Sequence, residues 1–97
     1  MPLLFWLLLG ALCIGAVAYT VSYTLTRHNI LDTVKDALNQ ASTSLAKKAL
    51  ASTFQTMVKE KGTDVVKVDV LVAKNEKLEV TIQCSGVSAD VYKGMVC

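Results

Sequence analysis

Residues 3–25 read LLFWLLLGALCIGAVAYTVSYTL, one uncharged run, and every Lys, Arg, Asp and Glu of the 97-residue chain lies after it. As a helix rising about 1.5 Å per residue the run would extend roughly 35 Å, enough to cross a hydrocarbon core about 30 Å thick. Read by length and hydropathy, residues 1–26 are therefore a single transmembrane anchor, and the lipid bilayer is the first partner. Trp6 near one end, and Tyr19, Tyr23 and Arg27 near the other, suit the two membrane interfaces. Ala11, Gly15, Ala18 and Ser22 recur at i, i+4, i+7 and i+11, a stripe of small residues that lets helices approach closely. The stripe suggests a homo-oligomer or a second membrane protein as partner.

Two other readings of the same run stay open. Ala16-Val17-Ala18 is a small-x-small pattern of the kind a signal peptidase cuts, which would release a secreted domain after Ala18. Met1-Pro2 lacks the basic residues a secretory leader carries, and that favours retention. Arg27 and Lys35 argue for a cytoplasmic C-terminus, whereas the Ala-Val-Ala site suits an exported domain. The expected location is the membrane, single-pass, with the domain on either side.

Beyond the run, residues 27–62 carry a three- and four-residue apolar period. Asn29 reads as an N-cap with Asp32 in the first turn, and Ile30, Val34, Ala37, Leu38, Ala41, Leu45, Phe54, Met57 and Val58 form one face. Gly62 after Lys59 and Lys61 is the stop signal, so an amphipathic helix is expected over 30–61. Ser42-Thr43-Ser44 is the place where it would break.

Residues 63–97 change to a period of two. Val66, Val68, Val70 and Val72, then Leu78, Val80, Ile82 and Cys84, alternate with polar residues and predict an antiparallel hairpin. Parity constrains the turn. A two-residue Asn75-Glu76 loop would put the two apolar rows on opposite faces, so an odd loop is expected, either residues 75–77 with a bulge or residues 73–77. The shared apolar face needs a cover, which the amphipathic helix supplies. Ser88 caps a short final helix ending at Gly94, and residues 95–97 make a last strand or tail. The fold class is α+β: membrane helix, amphipathic helix, and a hairpin or small three-stranded sheet. The expected core is Val34, Leu38, Leu45, Phe54, Val66, Val68, Val70, Val72, Leu78, Val80 and Ile82. So short a chain is marginal alone, and a Cys84–Cys97 disulfide is one staple it offers.

The chemistry is sparse. With Lys+Arg 10 against Asp+Glu 8, the net charge of +2 is too slight for a nucleic-acid partner. His28, the single histidine, has no Cys or carboxylate at metal spacing. The five glycines make no phosphate loop. No catalytic residue, metal ligand, cofactor or small-molecule substrate is indicated, and a non-enzymatic role is expected. The reading is a membrane-anchored domain acting by binding or assembly, as an accessory, scaffold or structural subunit. A hydrophobic helix running into an amphipathic helix and then a sheet is similar in outline to a type IV pilin, which implies a filament or envelope subunit. The pilin leader, its Gly cleavage site and its Glu near the start of the run are absent here. A regulatory or toxin-like small membrane protein is the other alternative.

Overall fold

A computed structural model describes residues 10–51, 55–73 and 75–96. In chain order the elements are β1 (Leu12–Thr20), β2 (Thr24–Leu25), α1 (Ile30–Ala41), α2 (Ser44–Ala51), β3 (Gln55–Lys61), β4 (Val65–Ala73), β5 (Glu76–Gln83) and β6 (Gly86–Val87).

The alternating valines seed the sheet. Val66, Val68 and Val70 stand opposite Ile82, Val80 and Leu78 in the antiparallel β4–β5 pair, so both apolar rows share one face. The two rows share a face as parity requires, but the expected odd loop, residues 75–77 or 73–77, does not form: Ala73 belongs to β4 and Glu76 and Lys77 to β5, leaving two residues between the strands. Ala73 pairs with Glu76 across the turn, and an irregularity at Val72, between the Leu71 and Ala73 pairings, restores the alternation. β3 adds antiparallel to β4, with Val58 opposite Val68. β1 adds parallel to β5, giving a mixed four-stranded sheet in the order β1-β5-β4-β3. β1 and β3 thus run the same way on opposite edges, and the α1–α2 segment crosses one face to connect them.

This arrangement overturns the transmembrane helix and the single-pass membrane location. No helix among the described residues is long and apolar enough to cross a membrane, and residues 12–20 form an edge strand. Leu3, Phe5, Trp6 and the rest of residues 1–9 lie outside the described residues. The physical reason is that an uncharged run does not specify its own period. A half-buried edge strand whose outward positions are small or uncharged, as Ala16, Ala18 and Thr20 are here, carries no charge to mark its alternation and reads as continuous uncharged sequence. Ile14, Val17, Tyr19, Thr20 and Val21 are the β-branched and aromatic residues that suit a pleated surface.

The amphipathic helix is also shorter than its period suggests. α1 begins at Ile30 and ends at Ala41, where Ser42, with a left-handed φ of 52°, caps it; α2 then runs only to Ala51. The residues from Gln55 to Lys61 are strand β3, because Met57 and Val58 find partners in the sheet that a solvated helix end would not give them. Asn29 stands at the N-cap without a capping side-chain bond. Its Oδ1 instead accepts from the Thr26 N–H at 2.8 Å, and its Nδ2 donates to the Thr24 carbonyl at 3.0 Å, tying the helix entry to β2.

The core lies between the helices and the sheet. Ile30, Val34, Ala37 and Leu38 of α1, with Ala46 and Ala49 of α2, pack on Val58, Val66, Val68, Val70, Val72, Leu78, Val80 and Ile82. Alanines at the α2 contact let the short helix sit close. Leu45 is half-buried, and Phe54 lies outside the described residues. Instead of a short helix after Ser88, β6 pairs with β2, and the chain continues through turns to an antiparallel bridge between Val96 and Met57.

Candidate functional site

The two edges of the sheet are built differently. At the β3 edge the C-terminal segment lies alongside: the Val58 N–H donates to the Met95 carbonyl and the Gly94 N–H to the Val58 carbonyl, both at 2.8 Å. The same strand carries Lys59, Glu60 and Lys61 and a register irregularity at Lys59. Charges, a bulge and a covering segment are the devices that stop a strand from pairing further.

The β1 edge has none of the charges. Its sequence, LCIGAVAYT, contains no ionisable carboxylate or amine and no proline, and among the described residues its outer edge pairs with no strand. The Val21 N–H donates to the Gln83 carbonyl at 2.8 Å, which fixes the parity of the ladder: beyond the irregularity at Ile14, the odd residues Gly15, Val17 and Tyr19 address β5. The N–H and C=O groups of Ala16, Ala18 and Thr20 therefore point away from the sheet. Val17 and Tyr19 pack on the core and stay half-buried, so the core is incomplete at this margin. Leu12 is 70% exposed.

The small-residue stripe has a different geometry in a strand. Gly15 faces the helices, where Leu45 and Leu78 approach it, while Ala18 stands on the opposite face and is exposed. Ala11 is buried and Ser22 accepts, through its carbonyl, a 2.6 Å bond from the Ser85 hydroxyl. Among the residues read as interfacial, Tyr23 bonds through its hydroxyl to the buried Thr33 hydroxyl at 2.7 Å, and the Arg27 N–H donates to Asp90 at 3.1 Å. The Asp90 carboxyl is held below its ordinary range, first by the Ser88 side chain and further by that Arg27 bond and the charge of His28. The Cys84 thiol donates to the Gly86 carbonyl at 3.0 Å; Cys97 lies outside the described residues. Among the described residues no group of three or more His, Cys, Asp or Glu is placed to hold a metal.

What alternation alone misses is a polar cluster on the face away from the helices. Asp69 and Glu79 stand directly opposite in the β4–β5 ladder, a juxtaposition that repels unless cations intervene. Two lysines do so. Lys77 Nζ lies 3.1 Å from Asp69 Oδ2 and Lys59 Nζ lies 2.8 Å from Glu79 Oε2. The bond from Lys59, helped by nearby ammonium charges, holds the Glu79 carboxyl below its usual range; the same bond raises Lys59. Asp69 is 1% exposed although its neighbours in sequence suggest a solvated position, and its Oδ1 has no hydrogen-bond partner. Asp69 lines a cleft of about 310 Å³ with Met57, Lys59, Glu60, Lys77 and Lys93, between β3 and the Lys93–Gly94 turn. The carboxylate opposed to a second carboxylate across the hairpin was the signal in the sequence, and it is readable only once the register is known.

No protein-family model matches the chain, and no curated protein and no solved structure is similar to it at a significant level.

Proposed function

We propose that this chain is a non-enzymatic assembly module that extends its sheet by pairing β1 with β1 of a second copy. The observation that carries the reading is the contrast between the edges, one covered and charged, the other long, uncharged and unpaired among the described residues. Two antiparallel β1 strands related by a two-fold axis make an isologous contact. Ala16, Ala18 and Thr20 exchange backbone hydrogen bonds, and no like charges are brought together. Val17 and Tyr19 of each copy gain the lateral neighbours that their half-buried state lacks. The exposed side chains at the seam are small on the open face, so nothing bulky opposes the approach. Backbone pairing of this kind supplies affinity, and the alternate side chains supply register.

The test uses proline where its missing N–H matters only to the outer edge. Ala18→Pro removes an outward donor and leaves the β5 ladder intact, as edge strands tolerate. In sedimentation velocity the wild type is expected to self-associate with rising concentration, and Ala18→Pro and Ala16→Lys to stay monomeric with unchanged far-UV circular dichroism. A wild type that is monomeric throughout, or variants that associate as well as wild type, would overturn the proposal.

A further inference from the structure

We propose that the cleft over Asp69, on the sheet face away from the helices, binds a small carboxylate that also carries a hydrogen-bond donor, an amino acid or a hydroxy acid. The site is separate from the β1 edge, lying at the opposite side of the sheet.

Five features fix the ligand's chemistry and size. Asp69 Oδ1 is a buried acceptor without a donor, and native proteins leave few such atoms unexplained. Its partner oxygen is committed to Lys77, and Lys59 is committed to Glu79, so these ammonium groups hold the floor without supplying the missing bond. Lys93, exposed at the mouth beside Gly94, makes no ion pair among the described residues. The walls between floor and mouth are apolar: Met57 and the methylene stems of the lysines. A volume of about 310 Å³ is at the small end of ligand pockets.

An isolated amine donates to Oδ1 but leaves the Lys93 ammonium at the lining without a counter-charge, since Lys59 and Lys77 are already matched by Glu79 and Asp69 and the further carboxylate, Glu60, lies 3.8 Å from Lys67. A plain carboxylate satisfies Lys93 and leaves Oδ1 unmet. A molecule with an ammonium or hydroxyl for Oδ1, an aliphatic body against Met57 and a carboxylate for Lys93 meets all three demands. Oδ1 has no exposed surface of its own, so the donor reaches it through rotamer changes of the long unbranched side chains Met57, Lys59 and Lys77.

A matched set of probes tests this on the full chain by amide chemical-shift titration: L-leucine, 2-hydroxy-4-methylpentanoate, 4-methylpentanoate and 3-methylbutylamine. Leucine, its hydroxy analogue or both are expected to shift the amides of Met57, Lys77 and Gly94. The two probes that lack the donor or the carboxylate should bind at least about tenfold more weakly, as loss of a charge-assisted bond implies. Which of the first two binds tells an amino acid from a hydroxy acid. Lys93→Ala, at an exposed position that the fold does not depend on, should weaken binding by about tenfold, and Asp69→Asn should weaken the amino acid. Equal affinity for all four probes, unchanged affinity in Lys93→Ala, or no shift up to about 10 mM of any probe would overturn the proposal.

Discussion

Gly15 separates a strand packed under helices from a helix packed in lipid. A Cβ at this position would stand 3.0 Å from Leu78 Cδ1 and 3.3 Å from Leu45 Cδ1, so the residue sits where α2 and β5 converge on β1. Gly15→Ala meets only the ends of two flexible leucines, which yield by a few tenths of an ångström. Removing glycine's backbone entropy from a strand returns about 0.5–1 kcal/mol, and the alanine variant is expected near neutral. Gly15→Leu is another matter: three further carbons enter space that Leu45 and Leu78 already fill. Overpacking of that kind costs about 1–3 kcal/mol. For a domain this small each kcal/mol moves Tm by about 4–8 °C, so a fall of roughly 5–20 °C is expected. Thermal and urea unfolding followed by circular dichroism in detergent-free buffer measures it. In a lipid-embedded helix the same substitution is tolerated or favourable. A Gly15→Leu variant as stable as wild type would show that Gly15 does not lie beneath α2.

Val70 is fully buried between sheet and helix, so Val70→Asp places an unpaired charge in the core and should abolish the cooperative unfolding transition, as seen by urea titration. Tyr23→Phe leaves the buried Thr33 hydroxyl, among the described residues, with its bond to the Asn29 carbonyl alone and should cost about 1 kcal/mol in chemical denaturation. The Lys59–Glu79 pair sets a pH signature. Glu79 is lowered from 4.5 in the folded state, so its contribution is present above about pH 4.5 and is lost as pH falls through the folded value. Lys59 is raised from 10.5, so its contribution is present below that pH and is lost as pH rises through the folded value. Stability measured across pH in Glu79→Gln should be flatter than wild type at both ends; identical profiles would exclude the pair as a contributor.

The hairpin was legible because period two is a local property. Val66 to Val72 and Leu78 to Ile82 alternate strictly and share a face as parity requires, but the odd loop was wrong: two residues separate Ala73 from Glu76, and the irregularity at Val72, inside the strand, makes up the parity. Ile30 as the helix start and Ser42-Thr43-Ser44 as the break were equally local, since the start rests on the Thr26–Asn29 turn, though not on the side-chain cap expected of Asn29, and the break on a polar cluster. Gln55–Lys61 was not legible. Met57 and Val58 continue a helical spacing, and it is their pairing with Asp69 and Val68 and the Val96 bridge that makes them strand, through partners beyond one helical turn in sequence. Residues 12–20 failed for the same reason at larger scale. Uncharged sequence satisfies lipid and a parallel sheet alike, and the neighbour that decides is β5, more than 60 residues on. Asp69 alternates as a surface residue, yet the Lys77 chain and the Met57–Leu71–Val96 cluster on the same face help to bury it.

The parallel pairing of β1 with β5 is the central claim, and residue-resolved amide hydrogen exchange across residues 12–21 tests it most directly, using the Ala18→Pro monomer to keep the outer edge free. The ladder requires alternation: Val17, Tyr19 and Val21 bonded to β5 and protected, Ala16 and Thr20 pointing outward and exchanging fast. Protection that continues without alternation through this segment, as hydrogen bonds four residues apart would give, would contradict the strand and with it the fold.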